Sequence, residues 1–195
     1  MLRVHRIPFS TNVERVTLAA GHKGMEVDWV DHNPGDRSGV RALSGQDLVP
    51  VLEWDGGVLS DSMPIVAQLE RIQPDPPLYP TEPAARARVE VFVGWFNGVW
   101  KGPPNAIAAE EASPDPDRER VAALGARLRG WLPLFEDLLA TSDHLLGEAF
   151  GAADVCAFPF VKYAARSADP ADADPFHRVL EQHLATGDGC PRLRD

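Results

Sequence analysis

The stretch IQPDPPLYP, residues 72–80, constrains the fold of this chain more than any other segment. Its prolines remove backbone donors and suit neither a helix interior nor a central strand. Before it, the hydrophobic period switches between that of a strand and that of a helix. After it, only helical periods occur. The chain therefore reads as α/β plus all-α, with a linker near residues 74–83. A domain at 1–77 precedes an all-helical domain at 84–195.

In the first part, LRVHRI alternates and predicts a strand. Residues 12–22 predict a helix ending at Gly24, with His22 and Lys23 as cations in its last turn. EVDWV alternates again. His32 to Asp47 reads as a loop with a short helix. LVPVLEW, DGG and VLS read as a hairpin. DSMPIVAQLERI predicts a helix with Asp61 or Ser62 as cap and Pro64 in the first turn. The order is βαβ followed by ββα. In the second part, helices are expected near 82–100, 115–140, 151–166 and 175–185, with Pro133 kinking or breaking the second.

Several function classes are disfavoured. A net charge of −10 opposes nucleic-acid binding. No run of 18 apolar residues occurs, so no membrane span is expected, and the charged start MLRVHRIPF does not read as a secretory signal. A cytoplasmic location follows. The two cysteines, Cys156 and Cys190, form no CxxC motif, and Cys156 lies in an apolar run that predicts burial. The six histidines show no ligand spacing, so no metal site is expected.

Three small polar residues, Ser10, Thr11 and Asn12, stand where the first strand gives way to the first helix. Thr11 and Glu14 have the S/T-x-x-E spacing of a capping box. With that box, Ser10 lies just outside the positive helix end as a hydroxyl donor for a bound anion. Alternatively, Ser10 is itself the cap. A second helix N-terminus carries Asp61 and Ser62, an anion and ammonium site or a plain cap pair. Pro50 interrupts LVPVL, which fits either an edge strand or a cis bond that turns the backbone of Val49 outward. Together these features suit an extended zwitterionic peptide that carries a thiol.

With those residues in view, the chain resembles the cytosolic glutathione S-transferases, and the serine-type, phi-like and bacterial members in particular. The resemblance rests on SxNxxRV at Ser10, Asn12, Arg15 and Val16, on VPVL from Val49, on SDSMPI from Ser60, on the PPLYP linker and on FGAADVCAFPF from Phe150. It implies a thioredoxin-like βαβ-ββα domain followed by a helical domain. Glutathione is then the co-substrate and a small electrophile its partner, usually in a homodimer. Ser10 would hydrogen-bond the sulfur, Val49 and Pro50 would present backbone to the cysteinyl unit, and Asp61 and Ser62 would hold the γ-glutamyl end. Arg37, or else Arg41, would meet the glycyl carboxylate.

The electrophile pocket is expected between the domains, with Phe9, Asn12, Trp95 and Trp100 as lining candidates. Trp95 and Trp100 also fit a packed core or subunit interface at their helical spacing, and Phe92 and Phe96 are read as core. Gln46 is displaced by two residues from the family position and carries no inherited role. Gly151-x-x-Asp154 replaces the family's S/T-x-x-D helix cap, with Phe150 and Val155 as a hydrophobic staple. Two other functions share the fold: a glutathione-dependent isomerase of the maleylacetoacetate type, and a non-catalytic binding protein. A different low-molecular-weight thiol would also suit the site.

Overall fold

The structure, a computed structural model, describes residues 1–185 and 190–194. It divides into two compact units, Met1–Pro80 and Thr81–Asp195.

The first unit runs β1 (Arg3–Arg6), α1 (Thr11–His22), β2 (Asp28–Asp31), α2 (Ser38–Ser44), β3 (Val51–Trp54), β4 (Gly57–Ser60) and α3 (Ser62–Ile72). The sheet order is β2-β1-β3-β4, with β1 and β2 parallel and the other pairs antiparallel. Val4 and Leu52 stand opposite one another in register, and both are fully buried. Val16 and Ala19 of α1 and Ile65, Val66 and Leu69 of α3 are fully buried as well, so the valine and alanine spacing of these helices forms the core. Helix α1 ends as the sequence implies: Lys23 is the C-cap, and Gly24 takes the left-handed conformation (φ 62°) that a side chain disfavours.

Lys23 does more than complement the helix dipole. Its side chain is fully buried, and Nζ lies 2.5 Å from Glu70 Oε2. The ammonium also donates to the carbonyls of Gln73 (2.7 Å) and Pro76 (2.9 Å). Glu70 in turn accepts the amides of Leu78 and Tyr79. One ion pair thus ties the ends of α1 and α3 to the proline-rich segment. That segment contains a cis Asp75–Pro76 bond, which the sequence does not announce.

The second unit comprises α4 (Pro83–Trp95), α5 (Gly102–Glu111), α6 (Arg118–Gly130), α7 (Leu132–Leu138), α8 (Ala152–Val161), α9 (Pro175–Leu184) and the single turn α10 (Pro191–Arg194). The expected helix at 115–140 breaks at Trp131, and Pro133 falls in the first turn of α7, where its missing donor costs nothing. Helix α5 is absent from the sequence reading. Gly102-Pro103-Pro104 reads as a breaker, yet both prolines occupy a first turn. Between α4 and α5, residues Phe96–Trp100 widen into a π-helical turn. The ring of Phe96 stacks on Trp100 at 4.4 Å between centroids, and Phe135 and Phe160 meet both rings edge-on.

Helices α6 and α9 approach closely at Gly125, where any Cβ would overlap the ring of His183. Burial, followed by the charge of Arg129, pulls the His183 imidazole below its ordinary pKa. The unfolded chain therefore takes up this proton at about pH 6.5 while the folded chain still resists it. Stability is expected to decline as pH falls from about 6.5 toward the lower folded value. Urea unfolding at stepped pH checks this, because His183→Gln should flatten the slope in that window.

Candidate functional site

Ser10 is the N-cap of α1. Its Oγ accepts the Val13 amide at 3.4 Å, and its carbonyl accepts from Glu14 at 2.9 Å. Thr11 is instead the first helical residue and is buried, so the Thr11–Glu14 box is not the capping arrangement. The cap does not exhaust the hydroxyl. A serine hydroxyl has one proton to donate and two lone pairs. Capping uses a lone pair, and among the described residues nothing accepts the Ser10 proton. Ser10 is half-buried at the end of a twelve-residue helix, where the N-terminal amides favour an anion.

The second predicted terminus has an unexpected geometry. Asp61 is the N-cap residue of α3, yet its carboxylate makes no capping hydrogen bond and is exposed to solvent. Its backbone sits at φ 74°. Ser62, the first helical residue, is fully buried, and its hydroxyl donates to Asp61 Oδ1 at 3.5 Å. The predicted ligand-facing hydroxyl of Ser62 is thus enclosed in protein, while the Asp61 carboxylate beside it faces out.

Phe9 (φ 65°) and Asp61 are the non-glycine residues with positive φ among the described residues. Each directly precedes one of the serines singled out from the sequence. Backbone held in this sparsely populated region costs free energy, and it concentrates where function requires a particular geometry. Phe9 also leaves its ring 45% exposed beside Ser10.

Arg15 joins the two helix starts and is not assigned a role by the sequence. Its side chain is fully buried, and Nη1 donates to Ser62 Oγ at 3.2 Å and to Asn12 Oδ1 at 3.4 Å. The chain Arg15–Ser62–Asp61 leaves the Ser62 proton facing the carboxylate. The signal for it was present: Arg15 lies one helical turn before Ala19, on the apolar face of α1, where a solvated arginine does not belong. Asn12 is committed to Arg15 rather than to an open apolar wall.

Pro50 is buried and joined to Val49 by a cis peptide bond. Among the described residues no backbone group hydrogen-bonds Val49. Arg37 donates from Nε to the carbonyl of Pro34 and from Nη1 to that of Asp47. Arg41 binds the Asp47 carboxylate at 2.6 Å, which raises its own pKa. Both arginines therefore brace the segment that leads into Val49.

Of the aromatic candidates in the second unit, Trp100 is a correction. It is fully buried in the cluster of Phe96, Phe135 and Phe160, because the π-helical turn directs it inward. Trp95 is half-buried against Phe92 and Trp131. Phe92 and Phe96 are core, as their spacing implies. Asp154 accepts the Gly151 amide at 2.9 Å, and the glycine has no side chain with which to complete a reciprocal box. A further group, unread in the sequence, links Glu53, His5 and His32 across the sheet, at 2.5 and 2.8 Å. Among the described residues, no cluster of three or more His, Cys, Asp or Glu side chains is placed to hold a metal ion, and no helix is long and apolar enough to cross a membrane.

Residues 4–77 match the glutathione S-transferase N-terminal domain family, and residues 84–179 match the glutathione S-transferase C-terminal domain family. A glutathione S-transferase of Pseudomonas putida is 32% identical over 89 residues, covering 46% of this chain and 40% of that protein. A probable maleylacetoacetate isomerase of Drosophila melanogaster is 25% identical over 146 residues, covering 72% of this chain and 56% of that protein. The matches thus span less than two thirds of the length of these curated relatives. Among solved structures, a glutathione S-transferase from Methylobacillus flagellatus with glutathione bound superimposes with a TM-score of 0.76 at 22% identity, covering 95% of this chain and 93% of that one. The two domain matches, in this order and over these residues, together with the βαβ-ββα sheet and the helical unit after it, place the chain in the glutathione S-transferase family.

Proposed function

We propose that this chain is a glutathione transferase that activates the thiol of glutathione at Ser10 for attack on a small apolar electrophile. One observation carries the reading: the cap geometry of Ser10 leaves its hydroxyl proton unspent at the positive end of α1. An ordinary thiol has a pKa of about 8.5 and is mostly protonated at neutral pH. An O–H donor and a helix N-terminus both favour the thiolate. Each unit of depression corresponds to about 1.4 kcal/mol of preference for the anion. The thiolate sulfur then forms a bond to an electrophilic carbon as the leaving group departs with its electron pair. Ser10 stabilises the anion and forms no covalent bond.

In this reading Asp61 accepts the γ-glutamyl ammonium, and the start of α3 at Ser62 favours the adjoining carboxylate. Val49 pairs its backbone with the cysteinyl unit, with Pro50 fixing that edge. Arg37 and Arg41 shape the loop near the glycyl end, and the exposed ring of Phe9 meets the electrophile. A homodimer in the cytoplasm belongs to the same reading.

The test is a titration with glutathione, following thiolate absorbance, beside Ser10→Ala. Saturation with a rise in thiolate supports the reading. Saturation without thiolate points to a binding protein, and no saturation at millimolar glutathione points to another thiol. The Drosophila relative favours a second reading, in which the thiolate adds to a substrate double bond and is expelled after rotation. Product analysis separates the two, since isomerisation consumes no glutathione.

Arg15 supplies a further expectation. Arg15→Met removes the donor that orders Ser62 and Asp61. The KM for glutathione is expected to rise about tenfold, the scale of one hydrogen bond to a charged group. A smaller change in kcat would place the effect in binding; steady-state kinetics at fixed electrophile measure both.

A further inference from the structure

Helix α2 has little apolar anchorage. Of its seven residues Val40 alone is buried, and a helix this short is not stable by itself in water. Polar contacts must therefore hold it. Val4 and Leu52 point into the core, so alternation sends His5 and Glu53 to the opposite face of the sheet. There His5 Nε2 lies 2.5 Å from Glu53 Oε2, and His5 Nδ1 lies 2.8 Å from His32 Nε2. The His32 ring rests against the first turn of α2: a Cβ at Gly39 would stand 3.1 Å from its Cε1.

A contact between two ring nitrogens needs one N–H and one lone pair. With both imidazoles neutral, His5 Nε2 donates to Glu53 and His32 Nε2 donates to His5 Nδ1. One added proton reverses the second bond, so that His5 Nδ1 donates to His32 Nε2. A second added proton sets two N–H groups and two like charges face to face, and the contact breaks. Charged groups of each neighbouring segment bear on that step. Glu53 of β3 pairs with His5, and Arg3 of β1 acts on Glu53 while bonded to Asp28 of β2 at 2.7 Å. Asp36, just before α2, interacts with His32 and with Arg41. Bonds from the Ser38 hydroxyl and amide hold the Asp36 carboxyl below its ordinary range, and the amide bond, at 3.0 Å, fastens the start of α2. Arg37, the N-cap residue, is held by the carbonyls of Pro34 and Asp47. Each imidazolium thus has its own carboxylate, Glu53 for His5 and Asp36 for His32. The doubly protonated pair gains an alternative arrangement, in which His32 turns to Asp36 and draws it from Ser38.

We propose that His5 and His32 form a proton-operated latch: with at most one added proton they hold the start of α2 in place, and with two they release it. Release moves Asp36, Arg37 and Arg41, and these arginines brace the segment that leads into Val49. Thiol binding therefore weakens as the latch opens, a consequence that rests on the glutathione reading above. Histidine changes charge roughly between pH 5 and 8, so the latch responds to modest acidification.

The test is hydrogen exchange on the ligand-free full chain at about pH 5.5 and about pH 7.5, either side of the ordinary histidine value of about 6.5, corrected for intrinsic exchange. Residues 36–48 are expected to lose at least about fivefold of their protection at the lower pH, the scale of one hydrogen bond, and His32→Gln should abolish the difference. Equal protection at both pH values, or the same loss in His32→Gln, would overturn the proposal. Calorimetry with S-hexylglutathione, whose sulfur carries no proton, follows binding over the same range. Affinity should fall at least about fivefold on acidification in the parent and stay constant in His32→Gln. A parental affinity independent of pH equally overturns the proposal. Absence of binding at both pH values counts against the glutathione reading, and exchange then decides the latch alone. Should His32→Gln unfold, the imidazole NMR resonances of the parent decide. His5 and His32 should titrate together in two steps, and two independent single steps would sink the latch.

Discussion

Replacing Ser10 by alanine is expected to lower kcat/KM for glutathione conjugation by about 10²–10³, the scale seen when one donor to a developing anion is removed. The same change deletes the cap on α1 and should cost about 1 kcal/mol of stability. These two effects can be separated. Ser10→Asp retains a side-chain acceptor for the Val13 amide, and aspartate is among the best N-caps. It offers no proton at neutral pH and sets a negative charge where the thiolate would rest. It should therefore fold as stably as the parent and be at least as inactive as the alanine variant. Urea unfolding measures one quantity and conjugation kinetics the other. If Ser10→Asp conjugates glutathione at the parental rate, Ser10 is a cap and nothing more.

The second large effect concerns the ion pair at the ends of α1 and α3. Lys23→Met is expected to destabilise the protein by about 3–5 kcal/mol, the usual cost of removing one partner from a buried pair. The loss has three parts: Glu70 keeps its charge without the ammonium, and the carbonyls of Gln73 and Pro76 lose their donor. Lys23→Met combined with Glu70→Gln should recover part of the loss, because the neutral amide no longer leaves a buried charge and its oxygen can still accept from Leu78 and Tyr79. A double-mutant cycle from urea unfolding gives the coupling. Additive losses would mean that the pair is not coupled through burial.

The two variants also show where sequence reasoning reaches and where it stops. Ser10 stood out because a cap is a local device, spanning three residues, with a known side-chain preference. Lys23 had a local reading too, as a cation in the last turn of a helix, and that reading missed its partner 47 residues away. Arg15 repeats the pattern, since its contact with Ser62 also spans 47 residues. Trp100 fails differently: its helical spacing fits a pocket wall and a core equally well, and a widened turn after Trp95 directs it inward. Helix α5 was hidden because Gly-Pro-Pro reads as a stop when it is in fact a start.

By itself, then, the sequence determined the division near the proline-rich segment, the order of strands and helices before it, the helical character after it, and a polar cap at the Ser10–Thr11 junction, which the structure assigned to Ser10. Each depends on backbone preferences or on a repeat in polarity, which act over a few residues and leave a visible pattern. Only the tertiary structure decided which polar groups are buried together, as with Arg15 and Ser62 or Lys23 and Glu70, and which aromatic rings are enclosed. Those outcomes turn on desolvation and packing between segments far apart in the chain, and no period or spacing in one segment encodes what another will bring to it.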